Sequence, residues 1–295
     1  MNINWKKSLG VIGVALGTAF VTMRVTAKKK KAKSVYKNEP EQQNSMKGKK
    51  IIFVENEDDP INADGKKGHL EVIGESEHFP TVYEKYIKRS IDIFLAFCGF
   101  VVLSPVFAAT AVAIKLDDPG PALFIQKRVG KDKEYFMLHK FRSMKLCTPH
   151  DVPTHMLENP DQYLLKVGKF IRKYSIDELP QIWDIFIGNM SIIGPRPALW
   201  NQDYLTSERD KYDANNIKPG LTGLAQIRGR DELEIEEKAK YDGVYAYSLS
   251  KSSLSGFLMD AKIFLGSISI VLRSKGLIEG GTGVIAKEFE KIEKL

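Results

Sequence analysis

An apolar stretch over residues 93–114 constrains this chain more than any other feature of its sequence. It holds about 22 residues without a charge, which is long enough for a helix to cross the hydrocarbon core of a bilayer. Ser104 and Pro105 lie at its centre, where proline removes one helical hydrogen bond and its ring clashes with the carbonyl four residues earlier. We therefore expect a membrane helix that is kinked near its middle.

Basic residues flank this stretch on both sides. They are Lys85, Lys88 and Arg89 before it, and Lys115, Lys127, Arg128, Lys131 and Lys133 after it. Because the cytoplasmic flanks of membrane helices carry the excess of lysine and arginine, neither end has an extracytoplasmic character. One topology is a reentrant helix over about 88–115 that breaks at Ser104-Pro105, with the Ser104 hydroxyl as a candidate partner for the freed backbone. The other is a proline-kinked spanning helix, and this segment by itself leaves both open.

Residues 1–33 are expected to form an N-terminal membrane anchor with a polybasic segment. The apolar run 9–23 follows Lys6 and Lys7, as in a secretory signal, but no small-residue cleavage site follows it. Its roughly 16 apolar residues fall short of the ~20 that span a bilayer, so spanning and lying in the bilayer both stay open. The lysine run at 28–33 is either a solvated tail or a contact with headgroups on the cytoplasmic side.

The remaining composition narrows the class of protein. No nucleic-acid-binding motif accompanies the net charge of +7, so we expect no nucleic acid as a partner. Cys98 and Cys147 are too few, and too differently placed, for a disulfide framework or a metal cluster. Residues 34–80 are polar and are predicted to be a linker with one short strand at 51–54.

After residue 115 the sequence alternates short strands with amphipathic helices, which predicts an α+β fold that is mainly helical. The segments 123–126 and 135–139 suit strands joined by a turn, and 179–187 suits a helix that ends at Gly188-Asn189. A later helix over 254–272 is mostly apolar. It either belongs to the core or lies on a membrane surface.

The densest group of chemically useful residues runs from Ser175 to Pro197 and reads S-I-D-E-L-P-Q, then a helix, then M-S-I-I-G-P-R-P. Asp177 suits a helix N-cap, because this would put Pro180 in the first turn, where backbone N–H groups are unpaired. A carboxylate at a helix N-terminus is also held ionised, as a nucleophile must be, and Glu178 beside it suits a Mg²⁺ ion that bridges to phosphate. Spacing alone leaves the cap and the nucleophile both open.

Two later loops have residues that suit phosphate. The first, 194–197, reads G-P-R-P and holds Arg196 between two rigid prolines, and a guanidinium binds phosphate in a fork geometry. The second, 218–223, reads K-P-G-L-T-G, and its glycines would let backbone N–H groups approach an anion closely. An ordinary surface turn explains the second loop equally well.

Together these segments resemble the monotopic polyprenol-phosphate phosphoglycosyltransferases, or bacterial sugar transferases, from about residue 85 to 277. Seven motifs occur in the order typical of that family. They are K-R-S-I-D, Ser104-Pro105, Q-K-R-V-G at 126–130, H-K-F-R-S-M at 139–144, S-I-D-E-L-P-Q, M-S-I-I-G-P-R-P, and K-P-G-L-T-G-L-A-Q.

The resemblance implies an architecture as well as a reaction. A small cytoplasmic catalytic domain over 81–278 would hold a reentrant helix that turns at Ser104-Pro105, with amphipathic helices on the membrane surface and a tail over 279–295. It would lie on the cytoplasmic face of the bacterial inner membrane. There it would start the synthesis of an exopolysaccharide, a capsule or another glycoconjugate.

The implied reaction moves a phosphosugar from a UDP-sugar to undecaprenyl phosphate and releases UMP. Asp177 would be the nucleophile that forms a covalent phosphosugar intermediate. Glu178 would hold Mg²⁺ and help to activate the polyprenyl phosphate. The positions that match the family's substrate-binding residues are Lys140, Arg142, Arg196, Gln226, Arg230 and Asp242.

Three positions depart from the family's common pattern. The family usually has Arg where Lys218 stands, Trp where Leu224 stands and Gly-Asp where Gly188-Asn189 stands, which leaves the identity of the sugar open. The lipid bilayer, downstream glycosyltransferases and a second copy of the chain are further partners compatible with such an enzyme. A catalytically silent membrane scaffold and a peripheral lipid-binding protein are the rival classes.

Overall fold

The computed structural model describes residues 43–148, 159–229 and 233–273. All of them belong to one compact unit, Ser34–Leu295, while the other unit, Met1–Lys33, lies outside the described residues. The predicted anchor over 1–33, the tail over 279–295 and Arg230 also lie outside them.

The fold mixes helices with short strands and is 52% helical, which confirms the predicted mainly helical α+β class. The strands form three two-stranded sheets, of which β1–β2 and β3–β4 are antiparallel and β5–β6 is parallel. The strands are β1 Lys49–Glu55, β2 Gly68–Glu75, β3 Leu123–Val129, β4 Tyr135–Phe141, β5 Ser191–Ile193 and β6 Gly220–Thr222. The α-helices are α1 Arg89–Asp117, α2 Lys166–Lys173, α3 Gln181–Ile187, α4 Asp203–Asp210, α5 Leu224–Arg228, α6 Ile235–Lys251 and α7 Ser253–Arg273.

A β-hairpin occupies much of the region predicted as a polar linker, where the sequence indicated only one short strand. Its first strand packs against α4, and the backbone N–H of Ile51 donates to Oδ2 of Asp210 at 2.8 Å. The other oxygen of Asp210 accepts from the ammonium of Lys133 at 2.7 Å. Asp210, the partner of the hairpin, lies 159 residues after Ile51 in the chain, so the local polar composition of 34–80 gave no sign of it.

Helix α1 contains the apolar stretch and runs through Pro105 as one continuous helix, so the break expected at Ser104-Pro105 stays a prediction. The Ser104 hydroxyl donates to the carbonyl of Val101 at 2.9 Å. That carbonyl lies four residues before Pro105 and would otherwise lose its partner, since proline has no N–H. The expected backbone partner at this position is therefore confirmed.

A π-helical turn, Tyr83–Lys88, leads directly into α1, and together they form one helical segment long and apolar enough to cross a membrane. Only 11% of its most apolar window is buried within the protein. An apolar helix that is buried so little is better suited to lipid than to a soluble core.

The main core joins the start of this segment to β5, α6 and α7, through residues such as Ile193, Tyr245 and Ile263. Asp260 of α7 is buried at its centre and accepts from the Tyr83 and Tyr245 hydroxyls and from the ammonium of Lys88, each at 2.7 Å. A second cluster, formed by Ile114, Phe141, Leu165 and Ile171, lies under the other end of α1.

Helix α7 combines the two alternatives that its sequence left open. Asp260 and Ile263 face the core and are almost fully buried. Leu254, Leu258 and Leu265 are more than half exposed, so the helix presents a second apolar face to its surroundings. A helix with apolar side chains on both faces suits a position between a protein core and a lipid surface.

Candidate functional site

The chain reaches the two predicted catalytic carboxylates through a tight reversal after α2. Ser175 adopts a left-handed conformation with φ of 54°, and a single 3₁₀ turn, Ile176–Glu178, follows it. Helix α3 begins only at Gln181, with Pro180 at its N-cap position. Asp177, which the spacing suggested as the N-cap, is therefore not the cap of this helix, although it is 7% exposed and lies in the turn before it.

Glu178 receives two cations on one carboxylate oxygen. The ammonium of Lys140 lies 2.9 Å from Oε1, and Nη2 of Arg196 lies 2.8 Å from the same atom. Lys140 comes from β4, and Arg196 comes from the loop after β5. Burial alone would raise the pKa of Glu178, but the charges and hydrogen bonds of Arg196 and Lys140 hold it well below its usual range.

A third cation, Arg128 of β3, belongs to the same group, although the sequence indicated no role for it at this site. Its guanidinium donates to the Pro197 carbonyl at 3.1 Å and to Oε1 of Gln126 at 2.7 Å. Burial and then the charge of Arg196 lower its pKa to about 9, so Arg128 remains charged at neutral pH. The sequence predicted a strand only over 123–126, whereas β3 continues to Val129 and so places Arg128 on the same face as Gln126.

The two glycine-containing loops meet at the parallel β5–β6 pair. The N–H of Gly194 donates to the Thr222 carbonyl at 2.8 Å, and the N–H of Gly220 donates to the Pro195 carbonyl at 2.8 Å. A Cβ on Gly194 would lie 2.3 Å from the Lys218 carbonyl oxygen, so only glycine allows this approach. The loop of Arg196 is therefore held against the loop that starts at Lys218.

Gln226, another predicted substrate-binding residue, lies beside the same pair of loops. A Cβ on Gly223 would meet both the Gly194 carbonyl oxygen, at 2.2 Å, and Oε1 of Gln226, at 2.6 Å. The Gln226 side chain is 9% exposed, and among the residues that the structure describes neither its oxygen nor its nitrogen has a hydrogen-bond partner. Because an unpaired buried amide costs free energy, a bound ligand that pairs with it would recover that cost.

Two other predicted residues are engaged elsewhere. The guanidinium of Arg142 pairs with Asp118 and donates to the Pro121 carbonyl, which ties the end of β4 to the end of α1. Asp242 is 1% exposed and accepts from Arg209 at 2.7 and 2.8 Å. Burial raises the pKa of Asp242 although Arg209 opposes the shift. Their contacts support structural roles, and their part in substrate binding stays a prediction.

A hydrogen-bonded contact between the buried Asp184 and His139 supports the site from behind. Asp184 of α3 is fully buried, and its carboxylate accepts from the backbone N–H and contacts Nδ1 of His139, both at 2.9 Å. His139 precedes Lys140 in β4, so this pair fixes the strand that carries Lys140 against the helix that follows Glu178. An aspartate inside an otherwise apolar helix was the sequence signal for it.

The contacts thus bring together an adjacent carboxylate pair, three cations and a buried amide that is unpaired within the described residues. They do so on a mainly helical domain with a helix long and apolar enough to cross a membrane, an arrangement that suits a membrane-associated class of protein acting on anionic substrates. The sequence model of a family described as bacterial sugar transferase matches residues 83–274. The chain therefore belongs to the bacterial sugar transferase family, as its motifs indicated.

Characterised relatives include enzymes with different sugars. The chain is 40% identical over 168 residues to a UDP-glucose:undecaprenyl-phosphate glucose-1-phosphate transferase of Escherichia coli K12. The matched region covers 55% of this chain and 36% of the relative. It is 41% identical over 177 residues to a UDP-N-acetylgalactosamine-undecaprenyl-phosphate N-acetylgalactosaminephosphotransferase of Aeromonas hydrophila. This match covers 58% of the chain and 41% of that relative. The chain thus spans about two fifths of the length of these two relatives.

A shorter relative matches over nearly its whole length. It is the exopolysaccharide production protein PSS of Rhizobium leguminosarum bv. phaseoli, to which the chain is 33% identical over 198 residues. The match covers 64% of this chain and 98% of the relative. The region of similarity therefore corresponds to a unit that occurs as a protein by itself.

Proposed function

We propose that this chain transfers a phosphosugar from a UDP-sugar to undecaprenyl phosphate, giving UMP and a polyprenyl diphosphosugar. The reaction would begin the synthesis of an exopolysaccharide, a capsule or another glycoconjugate. Family membership and the activities of the two transferase relatives support the substrates. The observation that carries the proposal is the arrangement of Glu178 next to Asp177 with Lys140 and Arg196 on one of its oxygens.

In the first half of the reaction, Asp177 attacks the phosphorus that bears the sugar. A bond forms between its carboxylate oxygen and this phosphorus, the bond to the bridging oxygen breaks, and UMP leaves with the electron pair. The guanidinium of Arg196 and the ammonium of Lys140 are suited to the negative charge that develops on the phosphates. Arg128 adds positive charge from the buried side of the site.

In the second half, a phosphate oxygen of undecaprenyl phosphate attacks the same phosphorus. The bond to Asp177 breaks, its carboxylate is regenerated, and the diphosphate of the lipid-linked product forms. One phosphoanhydride is broken and one is made, so the sequence needs no oxidant or reductant. Water must be excluded while the acyl phosphate exists, and the almost complete burial of Asp177 suits that requirement.

Glu178 also has an oxygen that suits a Mg²⁺ ion. Both cations contact Oε1, and Oε2 accepts no hydrogen bond within the described part of the chain. In that part, no group of three or more His, Cys, Asp or Glu side chains is arranged to hold a metal. This fits an ion held by one or two carboxylates and mostly by phosphates, which would neutralise part of the diphosphate charge when bound.

The proposal includes a reentrant topology for α1, because both of its ends contact one domain. Near the start, the Arg89 guanidinium donates to the carbonyls of Ile185 and Phe186 at 2.7 and 2.9 Å. At the end, Asp117 accepts from the N–H of Val167 at 2.9 Å. Since a bilayer core of about 30 Å would separate the two ends of a spanning helix, these contacts support entry and exit on the cytoplasmic face.

Cysteine labelling in intact cells tests this topology. In a Cys98→Ala, Cys147→Ala background, we expect Ser90→Cys and Lys115→Cys to react with a membrane-impermeant maleimide only after the inner membrane is permeabilised. Val102→Cys, at the exposed apolar middle of α1, is the matched control and should stay unlabelled in both conditions. Labelling of Lys115→Cys in intact cells would contradict the reentrant helix.

A UMP-release assay with the purified full-length protein tests the reaction. We expect UMP only when Mg²⁺, undecaprenyl phosphate and one member of a UDP-sugar panel are all present. A panel with UDP-glucose, UDP-galactose, UDP-N-acetylgalactosamine and modified amino sugars then identifies the sugar. Failure of every member to yield UMP, with membrane binding retained, would favour the scaffold or lipid-binding class instead.

A further inference from the structure

A cavity of about 200 Å³ lies at the base of the membrane helix, away from the carboxylate pair. Its wall is formed by the start of the helical segment, by β5, by the loop before β6 and by α6. None of Asp177, Glu178, Lys140 and Arg196 lines it. Arg89, which lines the cavity, donates to carbonyls near the C-terminal end of α3, whereas Glu178 comes before the first turn of α3. The cavity and the carboxylate pair therefore lie at opposite ends of a helix about 10 Å long.

Basic residues converge on this cavity from three separate parts of the chain. They are Lys85, Lys88, Arg89, Lys131 and Lys218. Two carboxylates, Glu84 and Asp92, line it as well. Asp260, behind Lys88, adds a third negative charge at 2.7 Å. Even with that charge included, two more positive than negative groups surround the cavity, and an excess of this kind attracts an anion.

The carboxylates at the cavity are already engaged by the protein. Oδ1 of Asp92 accepts from the Ser191 hydroxyl at 3.1 Å and from the Ile192 N–H at 3.0 Å. Glu84 lies 2.8 Å from Nε2 of His78 and 3.8 Å from the Lys131 ammonium. These contacts fix both carboxylates in place, and the net charge of the groups around the cavity stays positive.

Apolar side chains on the same segment decide which anion fits best. Val82, Tyr86 and Ile87, which flank Glu84 and Lys85, are 64%, 58% and 49% exposed. The adjacent α7 contacts this segment through the rings of Tyr83 and Phe257, at 5.9 Å between centroids, and exposes Leu254 and Leu258. A cationic cavity on a helical segment that also exposes apolar side chains matches the two halves of a lipid with a charged headgroup.

We propose that this cavity binds the phosphate of an anionic phospholipid, as a site separate from the one that holds the reacting phosphates. The headgroup phosphate contacts Lys85, Lys131 and Lys218, and the acyl chains lie along the apolar side chains of the π-helical turn and α7. The site goes beyond the proposed transfer reaction and does not depend on it.

Lipid binding can be measured by native mass spectrometry of the full-length protein in detergent, titrated with phosphatidylglycerol. We expect one phosphatidylglycerol to bind more tightly than phosphatidylcholine. The Lys85→Gln, Lys218→Gln double variant should lower the affinity about 25-fold, since a cation near a lipid surface contributes about fivefold. The control double variant, Lys66→Gln, Lys67→Gln on the exposed hairpin, removes the same charge and should change the affinity for phosphatidylglycerol less than twofold.

Further variants and a second ligand, inorganic phosphate, separate this site from its alternatives. Lys85→Gln alone, at an exposed position, keeps the test valid if the double variant does not fold. Asp177→Asn should bind phosphatidylglycerol as the native chain does, whatever its UMP-release activity, so this result is independent of the transfer reaction. Equal binding in both double variants, loss of binding in Asp177→Asn, or equal affinity for inorganic phosphate would each overturn the proposal.

Discussion

Replacement of Asp177 by Asn is expected to lower UMP release by about 10⁴-fold or more, the scale on which loss of a covalent nucleophile reduces turnover. An amide of the same shape keeps the 3₁₀ turn but has no anionic oxygen to attack phosphorus. With a UDP-sugar labelled in the phosphate next to the sugar, the native protein should retain the label on a denaturing gel when undecaprenyl phosphate is omitted. The Asn variant should retain none.

The matched control for this variant is Asp213→Asn. Asp213 is 56% exposed, and its contact with Lys50 of the hairpin, 3.2 Å long, lies at the surface. Its replacement should leave both UMP release and label retention within twofold of the native values, since exposed ion pairs contribute little. Full activity of purified Asp177→Asn would refute the covalent assignment but leave family membership intact.

Replacement of Glu178 by Gln is expected to have the second largest effect, a decrease of about 10²- to 10³-fold in turnover, comparable with the loss of one well-placed electrostatic contact. The amide would no longer neutralise Lys140 and Arg196, and it is a poorer ligand for Mg²⁺. We therefore expect the variant to retain some label on Asp177 in single-turnover measurements while needing more Mg²⁺ for half-maximal UMP release.

The pKa of Glu178 adds a check on the same residue. The pKa of Glu178 in the folded protein is held well below its usual range. The ionised carboxylate therefore stabilises the fold at any pH above its pKa in the unfolded chain, and this stabilisation is lost as the pH falls through the lower pKa of the folded protein. Activity of the native protein between pH 5 and 7 should not change through protonation of Glu178. Glu134→Gln, at a side chain that is 64% exposed, is the control. Equal turnover of Glu178→Gln and Glu134→Gln would exclude an active role for Glu178.

The part of the fold that the sequence predicted well depends on local patterns. The uncharged stretch over 93–114 identified α1, and the Ser104-Pro105 pair indicated the backbone contact within it, because a helical hydrogen bond involves residues only four apart. The order of motifs likewise identified the segments of Glu178, Arg196 and Gln226, which the structure brings to neighbouring loops.

What the sequence did not predict depends on contacts between distant segments. The hairpin over 49–75 is held by Asp210, and Arg128 joins the site through a carbonyl of the Pro197 loop. Asp242, which matches a substrate-binding position of the family, is paired with Arg209, a contact that its local sequence did not indicate. Charged residues have similar local patterns whether they bind substrate or a buried partner, so only the tertiary structure separates the two cases.

The hydrogen bond from Ser104 to the Val101 carbonyl has a consequence for how the membrane segment is inserted. Both residues are exposed on α1, so in a bilayer this carbonyl would face hydrocarbon without water. A leucine at position 104 would raise the hydropathy of the segment and yet leave the carbonyl unsatisfied, at a cost of several kcal/mol in lipid. The more apolar sequence would therefore be the less readily inserted one, and hydropathy scores rank substitutions at this position in the wrong order.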